Sequence, residues 1–122
     1  MLYVYRPVML YRDLRVHRAA RYLKNAGYTS LNVADAVETL RRRVVCEESF
    51  PHEIGLFLGY PVGDVEGFVK NRGRNCKYCG FWKVYCDEEN TIAQFARFKR
   101  CINVYMRQWR DGKSVAQLTV AA

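Results

Sequence analysis

One pattern occurs twice in this chain, and it limits the fold more than any other feature. Gly27-Tyr28-Thr29-Ser30-Leu31-Asn32-Val33 and Gly59-Tyr60-Pro61-Val62-Gly63-Asp64-Val65 align without a gap, and the match runs on to Val37 and Val69. Each Gly follows an apolar stretch and suits the positive-φ residue that closes a helix. Asn32 and Asp64 each precede a further apolar run and suit the N-cap, where a side-chain oxygen accepts an orphan N–H. The spacing predicts two helix–turn–helix hairpins, a weak internal repeat of residues 27–46 with residues 59–73.

At 122 residues the chain is expected to be one domain, 1–122, with a real core. Residues 2–5 read as a short strand, and Pro7 suits the first turn of a helix running to about Ala26. Met9, Val16, Ala19, Ala20 and Leu23 would form the core side of that helix, with Tyr11, Arg15, Arg18 and Tyr22 on another side. A helix follows Asn32 and ends in Arg41-Arg42-Arg43, where cations meet the negative end of its dipole. Residues 53–58 and 64–72 make the second hairpin, residues 73–80 a loop, and residues 81–85 a strand by their alternation. A long helix from Glu88 towards Arg110 carries Phe95, Phe98, Ile102, Tyr105 and Trp109 at core-like spacing. Asp111-Gly112 stops it, and Ser114 caps a last turn. The class is therefore α+β and mostly helical, with two hairpins and a long C-terminal helix around a small sheet of residues 2–5 and 81–85.

Charge divides the chain by blocks. The net charge is +8, but residues 47–69 hold five acidic groups and no basic one, and residues 70–86 hold five basic groups and no acidic one. Such a field suits an acidic partner met by the basic edges. The second hairpin has helix–turn–helix spacing, with Gly55 small enough for close packing, Gly59 at the turn, and Val65 and Phe68 facing the first helix. Lys70, Arg72, Arg74, Asn75 and Lys77 follow its second helix and would reach phosphates or base edges; Arg15 and Arg18 extend the basic surface. Asp64 and Glu66 oppose this, since a recognition helix would bring them to phosphate.

Cys76-Lys77-Tyr78-Cys79-Gly80 has the form of a metal knuckle, with zinc or iron as the ion, but a structural zinc needs about four ligands. Cys86, Cys101 or His52 would have to complete the set. Two reduced cysteines, or a redox dithiol, are the other readings. His52-Glu53 is half of a metalloprotease motif without its second His, because position 56 is Leu. No nucleophile–base pair, phosphate-cradling loop or carboxylate dyad has the right spacing, so no enzyme is expected. Five cysteines and the lack of a signal-like start fit a reducing, cytoplasmic setting.

In FPHEIGLFLGYP, DVEGF, CGFWKVY and the closing GKS-x-x-QLTV, the chain resembles the domain of unknown function 3793 family across nearly all its length. The resemblance implies a bacterial protein, mostly of anaerobes, with no assigned activity. Gene neighbourhoods with flavodoxin and ferrous-iron transport genes imply a link to iron or redox physiology. Relatives usually carry a further N-terminal region before the strand matching residues 2–5, and positions 76 and 86 are often not cysteine, which weakens a four-cysteine site. The expected function is a small non-enzymatic basic binding module for nucleic acid or an acidic protein surface, including an inhibitor or adaptor of a nucleic-acid-binding protein. The alternative is an iron- or redox-linked protein using Cys76 and Cys79. An unpaired edge at residues 2–5 would further favour a homodimer through Leu2, Val4 and Tyr5.

Overall fold

The computed structural model describes residues 2–46 and 48–119; Glu47 of the acidic block and Val120 of the closing segment lie outside them. In chain order the elements are α1 (Pro7–Arg15), α2 (His17–Asn25), α3 (Val33–Cys46), α4 (Ile54–Phe57), α5 (Val62–Asn71), β1 (Tyr78–Cys79), β2 (Lys83–Val84), α6 (Glu88–Arg110) and α7 (Val115–Leu118). The class is α+β and mostly helical, with one small antiparallel sheet and a long C-terminal helix. Among the described residues no helix is long and apolar enough to cross a membrane.

The first helix was expected to be continuous, and it is two. Val16 is extended (φ −56°, ψ 130°) and separates α1 from α2. In an unbroken helix Leu14 and Ala19 would point about 140° apart. The break resets the phase, so Leu10, Leu14, Ala19 and Leu23 all enter the core, while Met9 and Val16 stay exposed. No Pro or Gly marks the site. The supposed Tyr11–Arg15–Arg18–Tyr22 face is divided by the same break, and Tyr22 packs against the core.

Both hairpins form. Gly27 (φ 102°) and Gly59 (φ 82°) take the left-handed conformation that a side chain would strain. Asn32 caps α3 as expected, its Oδ1 accepting the Ala34 N–H at 3.0 Å. The second copy departs from the first. Pro61 lets α5 begin at Val62, three residues before the position aligned with the start of α3, so Asp64 lies inside the first turn and does not cap it. Tyr28 and Phe57 join the hairpins across the main core. Buried Glu53 accepts from the Tyr28 hydroxyl at 3.1 Å and from the Arg43 guanidinium, tying α3 to the start of α4.

The sheet differs from expectation. Residues 2–5 form no strand; β2 pairs instead with residues 78–79, which had been read as loop, placing Tyr78 opposite Val84 and Cys79 opposite Lys83. A three-residue connection closes this pairing at little entropic cost. The chain start is pinned by side chains, the Tyr3 hydroxyl donating to the Phe57 carbonyl and its ring stacking on Tyr5 at 4.9 Å.

The α6 stripe was expected to be core along its length, and only its beginning is. Thr91 and Phe95 are buried, and Phe95 packs with Trp82 and Val84 in a second small core, but Phe98, Ile102, Tyr105 and Trp109 remain exposed. Phe98 and Tyr105 instead line open hollows that they share with Val4, Tyr5 and Arg6. Gly112 (φ 94°) follows its end, and Ser114 with Gln117 forms a capping box for α7.

Gly67 sets the spacing between α5 and β2. A Cβ there would lie 2.5 Å from both Cβ and Cγ of Tyr85. Gly67→Ala is expected to cost about 1–3 kcal/mol by overpacking, lowering Tm while the helical circular-dichroism signal persists. An unchanged Tm would show that the two elements are not in close contact.

Candidate functional site

The five basic-turn residues singled out in the sequence are brought together. Lys70 lies in the last turn of α5, and Arg72 ends that helix in the left-handed conformation (φ 52°), followed by Gly73 (φ 75°) and Asn75 (φ 60°). The Gly73 N–H closes back to the Phe68 carbonyl at 2.9 Å, which stops the helix and turns the chain outward. Lys70, Arg72, Arg74, Asn75 and Lys77 are all exposed. Among the described residues none of these four cations forms an ion pair.

The turn is held at three points by the hairpin beside it. Lys83 Nζ donates to the Gly73 carbonyl at 2.7 Å, the Tyr85 hydroxyl to the Arg74 carbonyl at 2.8 Å, and the Lys77 N–H to the Val84 carbonyl at 2.8 Å. The hairpin is in turn clamped to α5 by Asp64, whose residue is only 2 % exposed. One carboxylate oxygen accepts from the Trp82 indole N–H at 2.8 Å. The other accepts from the Tyr85 N–H at 2.8 Å, the Cys86 N–H at 3.0 Å and the Cys86 thiol at 3.1 Å. Sequence reasoning had placed Asp64 against phosphate; it is instead the buried joint of the site. Glu66, the other acid, is paired with Arg18 at 2.8 Å.

Arg18 therefore borders the site, because Glu66 and Lys70 lie one turn apart on the same face of α5. Arg15 does not join it. Its guanidinium donates to the Leu31 carbonyl at 3.1 Å and lies 3.7 Å over the Tyr11 ring, a structural role between α1 and the turn before α3.

Beside the basic turn opens a cleft of about 340 Å³ whose walls include His52, Phe68, Cys79, Phe81, Trp82 and Lys83. Its size falls at the lower end of the roughly 300–1,000 Å³ typical of small-molecule sites. The two features share parts, since Phe68 underlies Gly73 and Lys83 both lines the cleft and holds the turn. His52 and Phe68 rings are 5.2 Å apart, and Trp82 stacks on Tyr60 at 4.4 Å. Phe81 stands half out of the wall, braced by Phe95 and Phe98 at 5.5 and 5.9 Å. Of the cleft residues, the sequence points only to Cys79 and His52, both as candidate metal ligands. The buried Trp82 indole N–H needs an acceptor, which Asp64 supplies.

Cys76 is half-buried in the turn and Cys79 is exposed at the cleft. Among the described residues no group of three or more His, Cys, Asp or Glu side chains converges to hold a metal. Of the further ligands considered, Cys86 directs its thiol at Asp64, and Cys101 is exposed on α6. Burial, the hydrogen bond to Asp64 and the Asp64 charge raise the Cys86 pKa, so it stays a thiol near neutral pH.

At Asp64, burial pushes the carboxyl pKa up, but hydrogen bonds from Tyr85, Cys86 and Trp82 outweigh it and leave the group below the ordinary Asp range. Its contribution to stability is complete above the unfolded pKa of about 4 and is lost as pH falls through the lower folded value. Asp64→Ala is expected to cost about 3–5 kcal/mol, because three N–H donors lose their acceptor. Asp64→Asn should flatten the acid limb of the stability curve, measured by urea melts between neutral and acid pH. An acid limb identical to wild type would assign the acid sensitivity elsewhere. Thiol labelling offers a second check: Cys46, Cys79 and Cys101 should react first with a maleimide and Cys86 last.

The family model described as protein of unknown function (DUF3793) matches residues 1–119. No curated protein and no solved structure matches the chain significantly.

Proposed function

The chain belongs to this family of unknown function, and we propose that it is a non-enzymatic module that binds single-stranded nucleic acid. The observation that carries this reading is the contiguity of four unpaired cations on a braced turn with a cleft walled by aromatic rings. Phosphates of a flexible strand would meet Lys70, Arg72, Arg74 and Lys77, and an unstacked base would enter the cleft against Phe81, His52 or Phe68. Proteins that bind single strands combine these two features, a basic track and stacking surfaces. A fixed turn loses little entropy when it binds, which favours affinity from few contacts.

A duplex read through the major groove fits less well. A recognition helix offers its first turns to base edges, whereas the first turn of α5 is directed at the hairpin through Asp64, and its second meets Tyr85 at Gly67. The helix–turn–helix here is a packing unit, and the last turn of α5 with the residues beyond it supplies the binding surface.

Fluorescence anisotropy with a labelled single-stranded oligonucleotide tests the reading. For four phosphate contacts the log–log salt slope should be near about −3, a loss of roughly fiftyfold between 50 and 200 mM salt. Arg72→Ala with Arg74→Ala should remove about half of that slope, and Phe81→Ala should cost about 1–3 kcal/mol by losing one stacked base. Failure of single strands, RNA and duplex DNA alike at low salt would discard nucleic acid and leave an acidic protein surface as the partner.

A further inference from the structure

The basic turn is not the end of the cationic surface. α2 carries Arg18, Arg21 and Lys24 and no acid. Arg18, Arg21, Tyr22 and Asn25 follow i, i+3, i+4 and i+7 spacing, which places them on one face of that helix. The same four residues, with Glu66 of α5, wall a hollow of about 270 Å³.

The hollow and the turn are joined through α5. Arg18 reaches across from α2 to pair with Glu66 at 2.8 Å, and a Cβ at Gly63 would lie 4.0 Å from its Nη1. Lys70 stands one helical turn beyond Glu66 on the same face, so roughly 6 Å of helix separates the two features. The aromatic cleft takes Asp64, Val65 and Phe68 from α5 and shares no lining residue with the hollow. α5 therefore runs between cleft and hollow, and the basic turn at its end lies next to both.

Charge identifies what the hollow takes. Arg21 and Asn25 are exposed, and among the described residues Arg21 forms no ion pair. Guanidinium, phenol and amide groups are donors that proteins direct at phosphate and sugar oxygens. Among the described residues Glu66 is the single acid in the wall, and it is occupied by Arg18. Both side chains of that pair are exposed, at 62 and 42 %, and such pairs are weak enough for a phosphate to displace. A strand whose phosphates meet Lys70 has its neighbouring phosphates beside Arg18. We propose that the single strand held by the basic turn continues along α5 into this hollow, its phosphates passing from Lys70 to Arg18 and Arg21 and its backbone oxygens accepting from Tyr22 and Asn25. The proposal rests on the single-strand reading above and extends the site from four cations to six. Glu66 acts on this track as a brake, holding Arg18 until a phosphate replaces it.

Fluorescence anisotropy with a pentanucleotide and a dodecanucleotide of deoxythymidylate tests the extension. The pentanucleotide has four phosphates to offer, and its log–log salt slope should be near about −3; the dodecanucleotide can meet all six cations, and its slope should be near about −4. The slope, unlike the affinity, does not grow with the number of positions a longer strand can take. Arg21→Ala, checked for wild-type circular dichroism, should reduce the dodecanucleotide slope by about 0.7 and weaken binding severalfold at low salt. Arg107→Ala on α6, a cation of neither the turn nor the hollow, should change neither quantity. Glu66→Gln should tighten the dodecanucleotide severalfold, because it removes the acid and frees Arg18. Equal slopes for the two strands, a loss in Arg21→Ala no larger than in Arg107→Ala, or unchanged or weaker binding by Glu66→Gln would overturn the extended track and leave the turn as the whole site. Wild-type protein that binds neither strand would discard the single-strand reading, and the track with it.

Discussion

The Asp64 carboxylate is the interaction on which the rest of the structure depends. A two-by-two-residue hairpin has no stability of its own in water, and β1 and β2 offer only that. What fixes it is a single buried side chain on α5 that accepts the indole N–H of Trp82, the backbone N–H groups of Tyr85 and Cys86, and the Cys86 thiol. Those donors span both sides of β2. Trp82 then becomes the floor on which Tyr60 stacks and against which Phe95 packs edge-on, so the start of α6 is positioned by the same joint.

The acidic block at residues 47–69 thereby has a structural meaning. Two of its carboxylates are buried joints: Glu53 binds Tyr28 and Arg43 across the main core, and Asp64 binds the hairpin. A third, Glu66, is paired with Arg18. The negative charge of this stretch is thus spent largely inside or in pairs, while Lys70, Arg72, Arg74 and Lys77 of the following block remain exposed on the turn. The electrostatic face the molecule offers is more basic than the alternation of charge blocks along the chain implies, and the bracing by Lys83 and Tyr85 keeps that face in one shape.

Much of this was legible in the sequence because it is locally encoded. Glycines at positions 27, 59 and 112 and the Asn32 and Ser114 caps follow from conformational rules acting over four or five residues. The clustering of Lys70, Arg72, Arg74 and Lys77 is local for the same reason. What was not legible depends on distance or on phase. The break at Val16 has no breaker residue, and its cause is the need to turn two apolar pairs to one core. Residues 78–79 carry no strand pattern, yet they pair because Asp64 holds β2 in place. The α6 stripe has core periodicity, but periodicity records an apolar face and not whether this chain covers it. Asp64 itself misled because its aligned partner Asn32 does cap a helix, and only the earlier start of α5 behind Pro61 frees it for another task.

The basic turn, the cleft and the start of α6 are one rigid unit only if the Asp64 joint opens no more easily than the main core. Native-state hydrogen exchange followed by NMR measures this directly, at the Tyr85 and Cys86 amides and the Trp82 indole N–H. The account predicts that all three exchange as slowly as the Leu14 and Leu23 amides and lose that protection together in Asp64→Ala. Rapid exchange of these protons in the wild type, with the α1 and α2 amides still protected, would contradict it, because the hairpin would then be loosely attached and the binding face not fixed.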